Sequence, residues 1–236
     1  MRLRRGRERA ATGMVLLEGR RLVRAARDAG VELEALYVTD PADVLAHGVA
    51  HASVVPDDLL LTMATTQNPQ GLVAVARWRP ATTLPGGAAR VLVLAGVSDP
   101  GNAGTLVRSA AAFGWDAVVL ARGSCDPTNP KALRAGAGAT FATTVVAGVD
   151  AGDVAGALGA DGFTTIGAAT RGGTAPEQVD VTGRIALFVG SEAHGLDPAV
   201  AELLSTEVTV PVAAGVDSLN AAAAGAVLTY ALARRG

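Results

Sequence analysis

The sequence predicts an α/β protein: a mainly parallel sheet covered by helices on both faces, preceded by a small α/β module. Three observations carry this. Beyond residue 90, apolar strand-like runs recur with helical segments between most of them, the pattern of strands buried on both faces. Residues 14–78 show a second alternation of short apolar strands with short helices. Between the two, 79–89, "RPATTLPGGAA", has no periodicity and is rich in proline and glycine, which oppose regular structure. The boundaries are therefore 1–78 for an N-terminal domain, 79–89 for a linker and 90–236 for a second domain. A chain of 236 residues has room for two such units.

In order, the N-terminal elements are "MVLLE" (14–18), "GRRLVRAARDAG" (19–30), "ALYVT" (35–39), "PADVLAHG" (41–48), "HASVV" (51–55), "PDDLLLTMAT" (56–65) and "GLVAVARW" (71–78). The first helix places Leu22, Val23 and Ala26 on one side and most of its arginines elsewhere, and Gly30 supplies a C-terminal cap. In the second unit the strands are "VLVLAGV" (91–97), "AVVLA" (117–121), "TTVVAG" (143–148), "FTTIGAA" (163–169), "IALFVG" (185–190) and "EVTVPV" (207–212).

Composition narrows the class. Half of the residues are hydrophobic and 18% are charged, enough for a packed core and too apolar for a disordered chain. Cys125 is the single cysteine, so neither a disulfide framework nor a thiolate metal cluster can form, and His47, His51 and His194 give no spacing for a Cys/His pair. The basic N-terminus lacks an apolar signal core, and the apolar stretch 219–233 is broken by Gly225 and shorter than the roughly 20 residues of a bilayer span. The expectation is a cytoplasmic protein with no membrane partner and no metal. Nine arginines crowd the first 27 residues against Glu8, Glu18 and Asp28. Such clustering is either a phosphate-binding surface or a solvated arm with a charged helix face.

The strand-to-helix junctions carry the chemistry. "GNAG" (101–104) and "GAGATF" (136–141) both lack the third glycine of a dinucleotide fingerprint, and no phosphate-loop motif is present. What remains is polar. Asn102 stands where it can cap the helix that follows. Arg108, six residues on, is either a solvated surface arginine or a site residue. "LFVGSEAHGL" (187–196) runs from a strand into a turn bearing Glu192, and "VPVAAGVDSLNAAAAGAVLTY" (210–230) places Ser218 and Asn220 before an alanine-rich helix, as a helix cap or as ligands. Ligands of open α/β sheets bind beyond the carboxyl ends of the strands, so all three junctions are expected to share one site.

These motifs, "NAGTLVR" (102–108), "LFVGSEAHGL" and "VPVAAGVDSLNAAAA" (210–224), supported by "DPTNPKALRAGAGATF" (126–141) and "NPQGLVAVA" (68–76), resemble the TrmH (SpoU) family of SPOUT-class RNA methyltransferases. The resemblance implies a trefoil knot at the C-terminal end of the second domain, an exception to unknotted topology. It implies S-adenosyl-L-methionine held by loop main-chain groups at Gly190, Val210 and Leu219, an N-terminal RNA-binding module, and a homodimer in which Arg108 reaches a site shared between protomers. The implied reaction is methyl transfer to a ribose 2′-hydroxyl of RNA, rRNA in preference to tRNA. Arg108 would be central, Asn102 would orient Arg108 or the ribose, Glu192 would pair with an arginine, and Ser218 and Asn220 would bind the ribose or target nucleotide. A tRNA enzyme and a non-catalytic RNA-binding or ribosome-assembly protein are the alternatives. The chain departs from the family pattern at Ala221, Ala222 and Gly136.

Overall fold

A computed structural model describes residues 2–47 and 49–233. Gly48, the last residue of the stretch expected to be helical at 41–48, and the final residues 234–236 of the expected second domain lie outside the described residues, as does Met1.

α1 (Gly6–Thr12) closes at Gly13, whose φ of 71° supplies a left-handed cap. There follow β1 (Met14–Glu18), α2 (Arg20–Asp28), β2 (Glu32–Val38), α3 (Pro41–His47), β3 (Ala52–Val54), α4 (Asp57–Met63) and β4 (Leu72–Arg77). The four strands pair in the order β1-β4-β2-β3, antiparallel except between β2 and β3. α2 buries Leu22, Val23 and Ala26, and beyond it Gly30, at φ 77°, donates its N–H to the Arg27 carbonyl while Val31 donates to Ala26.

The second part contains β5 (Arg90–Ala95), α5 (Pro100–Ala112), β6 (Ala117–Leu120), α6 (Pro130–Gly136), α7 (Ala139–Ala142), β7 (Thr144–Ala147), α8 (Ala151–Ala160), β8 (Thr164–Ala168), β9 (Ile185–Gly190), α9 (Pro198–Ala201), β10 (Thr206–Val208) and α10 (Ala221–Ala233). Its six strands are all parallel, in the order β10-β8-β9-β5-β6-β7. Both faces are covered, which is why the strands read as unbroken apolar runs. Leu92, Leu94 and Leu187 pack with residues of α5 and α10, whereas Val91, Val93 and Phe188 pack on the opposite face with Ala155 and Leu158 of α8. Strand order reverses between β5 and β9, so the loops leaving their carboxyl ends part to opposite sides and leave a crevice.

Residues 79–89 are not a free tether. Ala81 bridges to Val146 of β7, donating to the Val145 carbonyl at 2.7 Å, and Ala88 is buried. β7 is an edge strand whose open main-chain groups need partners, and this segment supplies them. Two of the nine N-terminal arginines are taken up by carboxylates within the protein, while Arg2, Arg4, Arg5, Arg7, Arg21, Arg24 and Arg27 are exposed. Arg9 is 4% exposed and donates to Thr128 Oγ1 at 2.9 Å and Asp126 Oδ2 at 2.6 Å, while Arg20 forks onto Asp43 at 2.7 and 2.6 Å. That fork is the main reason the Asp43 carboxyl sits below the usual carboxylate range.

Candidate active site

Three loops meet at the carboxyl ends of β5, β9 and β10. The first begins with Asp99, whose carboxylate accepts the Asn102 N–H at 2.9 Å and so caps α5, with Pro100 at the first helical position. Asn102 is thus not the cap expected from the sequence. Lying inside the first turn, it turns its side chain outward, and its Nδ2 donates to Glu192 Oε1 at 2.9 Å. Asn220 Nδ2 donates in turn to Asn102 Oδ1 at 3.3 Å, while Asn220 Oδ1 accepts from the N–H groups of Ala222 and Ala223 and starts α10. One chain of hydrogen bonds, Glu192–Asn102–Asn220, therefore ties the three junctions together. Lys131 Nζ adds a bond to Asp99 Oδ2 at 2.9 Å from the side of α6.

Glu192 meets different partners from those expected. Instead of an arginine it holds the Asn102 amide and, at 3.4 Å each, the N–H groups of Ser98 and Asp99. Partial burial pushes its carboxyl up, but the bonds from Asn102 and from neighbouring main-chain N–H groups outweigh that and leave it below the usual range. Asp99 is lowered too, by Lys131 first and by the Asn102 N–H next. At neutral pH both are carboxylates.

Beside this chain opens a cleft of about 500 Å³. Gly190, Val210 and Leu219 line it together with Glu192 and Ser218, which brings five of the sequence-derived site residues to one cavity. Gly190 ends β9 where the 191–196 turn folds back: Ser191 and Gly195 exchange N–H···O bonds of 2.8 and 2.9 Å. A Cβ on Gly190 would stand 2.1 Å from the Gly195 carbonyl carbon, so only glycine permits this approach. Residues 209–220 have no helix or strand, and among the described residues the main chains of Val210 and Leu219 have no hydrogen-bond partner. The cleft thus offers free main-chain donors and acceptors, and its lining combines apolar Leu196, Val210 and Leu228 with polar Arg171, Glu192 and Ser218. That mixture suits S-adenosylmethionine, which joins a flat purine to a polar, charged amino-acid tail.

Arg108 stands apart. It is exposed on α5, six residues and about 9 Å along the helix axis from Asn102, and does not line the cleft. Asn102 therefore does not orient it within one chain. Asp99, a polar residue of the first junction, was assigned no role in the site, and Lys131 was not singled out. The Asp-Pro pair at 99–100 was the available signal for the first; nothing local marks the second, which α6 brings in.

Two family models match the chain: the SpoU rRNA Methylase family over residues 89–230 and the MRM3-like substrate binding domain over residues 1–74. The 23S rRNA (guanosine(2553)-2′-O)-methyltransferase RlmP of Bacillus subtilis is 35% identical over 95% of this chain and 90% of that protein. A TrmH-family RNA methyltransferase structure from Porphyromonas gingivalis superposes with a TM-score of 0.87 at 29% identity, covering 100% of this chain and 95% of the other. The AdoMet-bound rRNA methyltransferase from Sinorhizobium meliloti gives 0.86 at 26% identity over 98% and 91%. Fold and site together define an S-adenosylmethionine-dependent RNA methyltransferase of the SPOUT class. Within that class, the chain belongs to the SpoU (TrmH) family.

Among the described residues no helix is long and apolar enough to cross a membrane, and no group of three or more His, Cys, Asp or Glu side chains is gathered for a metal ion. Cys125 is buried, and burial pushes its thiol up to about 11, where it remains protonated.

Proposed function

We propose that this chain methylates a ribose 2′-hydroxyl of ribosomal RNA as a homodimer, with residues 1–78 binding RNA, 79–89 connecting, and the segment from 90 onward forming the knotted catalytic domain. The observation that carries the reading is the cleft at the β5/β9 crevice, lined by Gly190, Val210 and Leu219 and bordered by the Glu192–Asn102–Asn220 chain. Ribosomal RNA is preferred over tRNA because the Bacillus relative is named for 23S rRNA and the N-terminal match is to a substrate-binding domain. The knot accords with α10 returning after the 209–220 loop to pack against α5.

When bound, S-adenosylmethionine supplies an already activated methyl group, so the protein's work is to align the hydroxyl and favour loss of its proton. Gly190, Val210 and Leu219 hold the cofactor through their main chains. Ser218 and Asn220 contact the ribose or the target nucleotide. Asn102 fixes Glu192 and Asn220 relative to one another, and Glu192 pins the 191–196 turn to the start of α5. Arg108 is not a base, because a guanidinium stays protonated; it stabilises the developing alkoxide or grips the adjacent phosphate bidentately. Its exposure outside its own cleft fits a role in the partner's site. α10, packed on α5, leaves Val227 and Tyr230 45% and 43% exposed, an apolar face suited to a second copy.

The test is transfer of labelled methyl to 23S rRNA followed by alkaline hydrolysis. A 2′-O-methyl group blocks attack on the neighbouring phosphate, so label in alkali-resistant dinucleotides is expected. Label released in mononucleotides would refute ribose methylation.

A further inference from the structure

Two cavities of about 520 and 310 Å³ flank Arg134 at the seam between the N-terminal sheet and α6. Arg4, Gln67 and Lys131 line one, Arg21 and Asn68 the other, and Arg134 lines both, so they form one groove across the seam. Among its lining residues Arg4, Arg21, Lys131 and Arg134 face a single carboxylate, Glu18. That carboxylate is spent inside the protein. Its side chain is 3% exposed and accepts from the N–H and hydroxyl groups of Thr65 and Thr66 and from Arg134 Nη1 at 3.0 Å. Arg4 donates to the Thr62 and Ala64 carbonyls, which leave its charge uncompensated, and no ion pair of Arg21 occurs among the described residues. Lys131 is paired with Asp99 and Arg134 with Glu18, so the positive charge of the groove rests on Arg4 and Arg21.

Its wall is also rigid. Glu18 fastens residues 65 and 66, and Arg20 Nη1 donates to the Gln70 carbonyl at 3.1 Å. Between these anchors Gln67 and Asn68 are exposed, and among the described residues neither side chain has a hydrogen-bond partner. Cations set beside free amides match the chemistry of single-stranded RNA, whose phosphates take the charge and whose unstacked base edges take paired donors and acceptors. The groove also adjoins the reaction site, since Lys131 on its rim bonds Asp99 at the head of α5.

We propose that this seam groove binds a single-stranded stretch of the substrate RNA flanking the target nucleotide, with Arg4 and Arg21 on its phosphates and Gln67 and Asn68 on base edges. The proposal rests on the RNA methylation proposed above. Both parts of the chain then grip one RNA segment, which sets its register over the catalytic cluster.

The test uses the full chain and transcribed 23S rRNA, with direct binding across a salt series and methyl-transfer kinetics on the same RNA. Gln67→Ala/Asn68→Ala is expected to raise KM for the RNA about tenfold, with kcat and calorimetric affinity for S-adenosylmethionine unchanged. Arg21→Gln is expected to make the salt slope shallower by about 0.7, one single-strand phosphate contact. Gln67→Glu, of the same shape, should weaken RNA binding more than Gln67→Ala because it sets a carboxylate among the cations. Wild-type KM, RNA affinity and salt slope in all these variants would overturn the proposal. A wild-type chain that binds the rRNA but methylates none of it would overturn the proposed function, and the binding measurements would still decide the groove.

Discussion

Replacing Gly190 with alanine tests the geometry of the cleft proposed to hold the cofactor. The added Cβ would lie 2.1 and 2.2 Å from the Gly195 carbonyl carbon and oxygen and 2.2 Å from the Leu196 nitrogen, all main-chain atoms that no rotamer change can clear. Ordinary contact requires the 191–196 turn to retreat by about 1 Å, an overpacking penalty of about 1–3 kcal/mol. The retreat strains the two Ser191–Gly195 main-chain bonds, each contributing about 1 kcal/mol. A loss of about 2–5 kcal/mol corresponds to a fall in Tm of roughly 5–15 °C for a chain of this size. The same movement pulls Glu192 off Asn102, and displacement on the order of 1 Å at a reacting centre lowers rate about 100-fold. Gly195→Ala is the control: its φ of 69° strains alanine by about 1–2 kcal/mol, but the space around its Cβ is open. The 190 variant should lose S-adenosylmethionine affinity by calorimetry and methyl transfer, whereas the 195 variant, which adds a methyl at the lining of the cleft without crowding any main-chain atom, should lose much less of either. Equal affinity and turnover in the two variants would refute the argument that close approach at Gly190 shapes the cleft.

Arg108→Ala should abolish methyl transfer while leaving S-adenosylmethionine affinity intact and stability within about 0.5 kcal/mol, because the side chain is exposed; joint loss of binding and transfer would show a different role. Glu18→Ala removes the buried acceptor of Arg134, Thr65 and Thr66, whose own side chains still reach solvent, so a loss of about 1–2 kcal/mol is expected in chemical denaturation. The Glu192 carboxyl is held below its unfolded value, so its contribution is complete above the unfolded value and disappears as pH falls through the folded one. The Tm difference between wild type and Glu192→Gln should accordingly shrink on acidification into the carboxylate range, and a difference independent of pH would contradict the assigned bonds.

The fold was legible because its signals are local and repeated. Runs such as 91–95 and 185–190 are apolar at every position since both faces are covered, and Gly30 marks the end of α2 where a positive φ is required. That the junctions bearing Glu192 and Ser218 would meet followed from a rule of parallel sheets that needs only strand ends, whereas Gly190, Val210 and Leu219 came from the family resemblance. Partners within the cluster were not legible. Asp99, Asn129 and Asp197 each precede a proline and each caps a helix, so the Asx-Pro pair was a better guide to the start of α5 than Asn102. The roles within the arginine cluster were not legible, because charge in sequence does not show which guanidinium finds a partner inside the protein, as Arg9 does across 117 residues in Asp126.

That same arginine bears on how the two parts of the chain act. Proline- and glycine-rich residues 79–89 suggest a flexible joint, and a jointed RNA-binding arm would search for its substrate separately from the catalytic site. The contacts oppose this. Leu133 of α6 is fully buried in the N-terminal core, Arg9 and Arg134 pair with carboxylates across the seam, and Ala81 is bonded into the edge of the second sheet. α6 in turn lies so close to α5 that a Cβ on Gly104 would meet the Ala132 carbonyl oxygen at 2.3 Å. Any tilt of the N-terminal part must therefore be carried through α6 to the helix that bears Asn102 and Arg108. On the proposed function, RNA docked on the N-terminal part would be held at a fixed distance from the cleft, and the geometry of the seam would set which nucleotide is methylated.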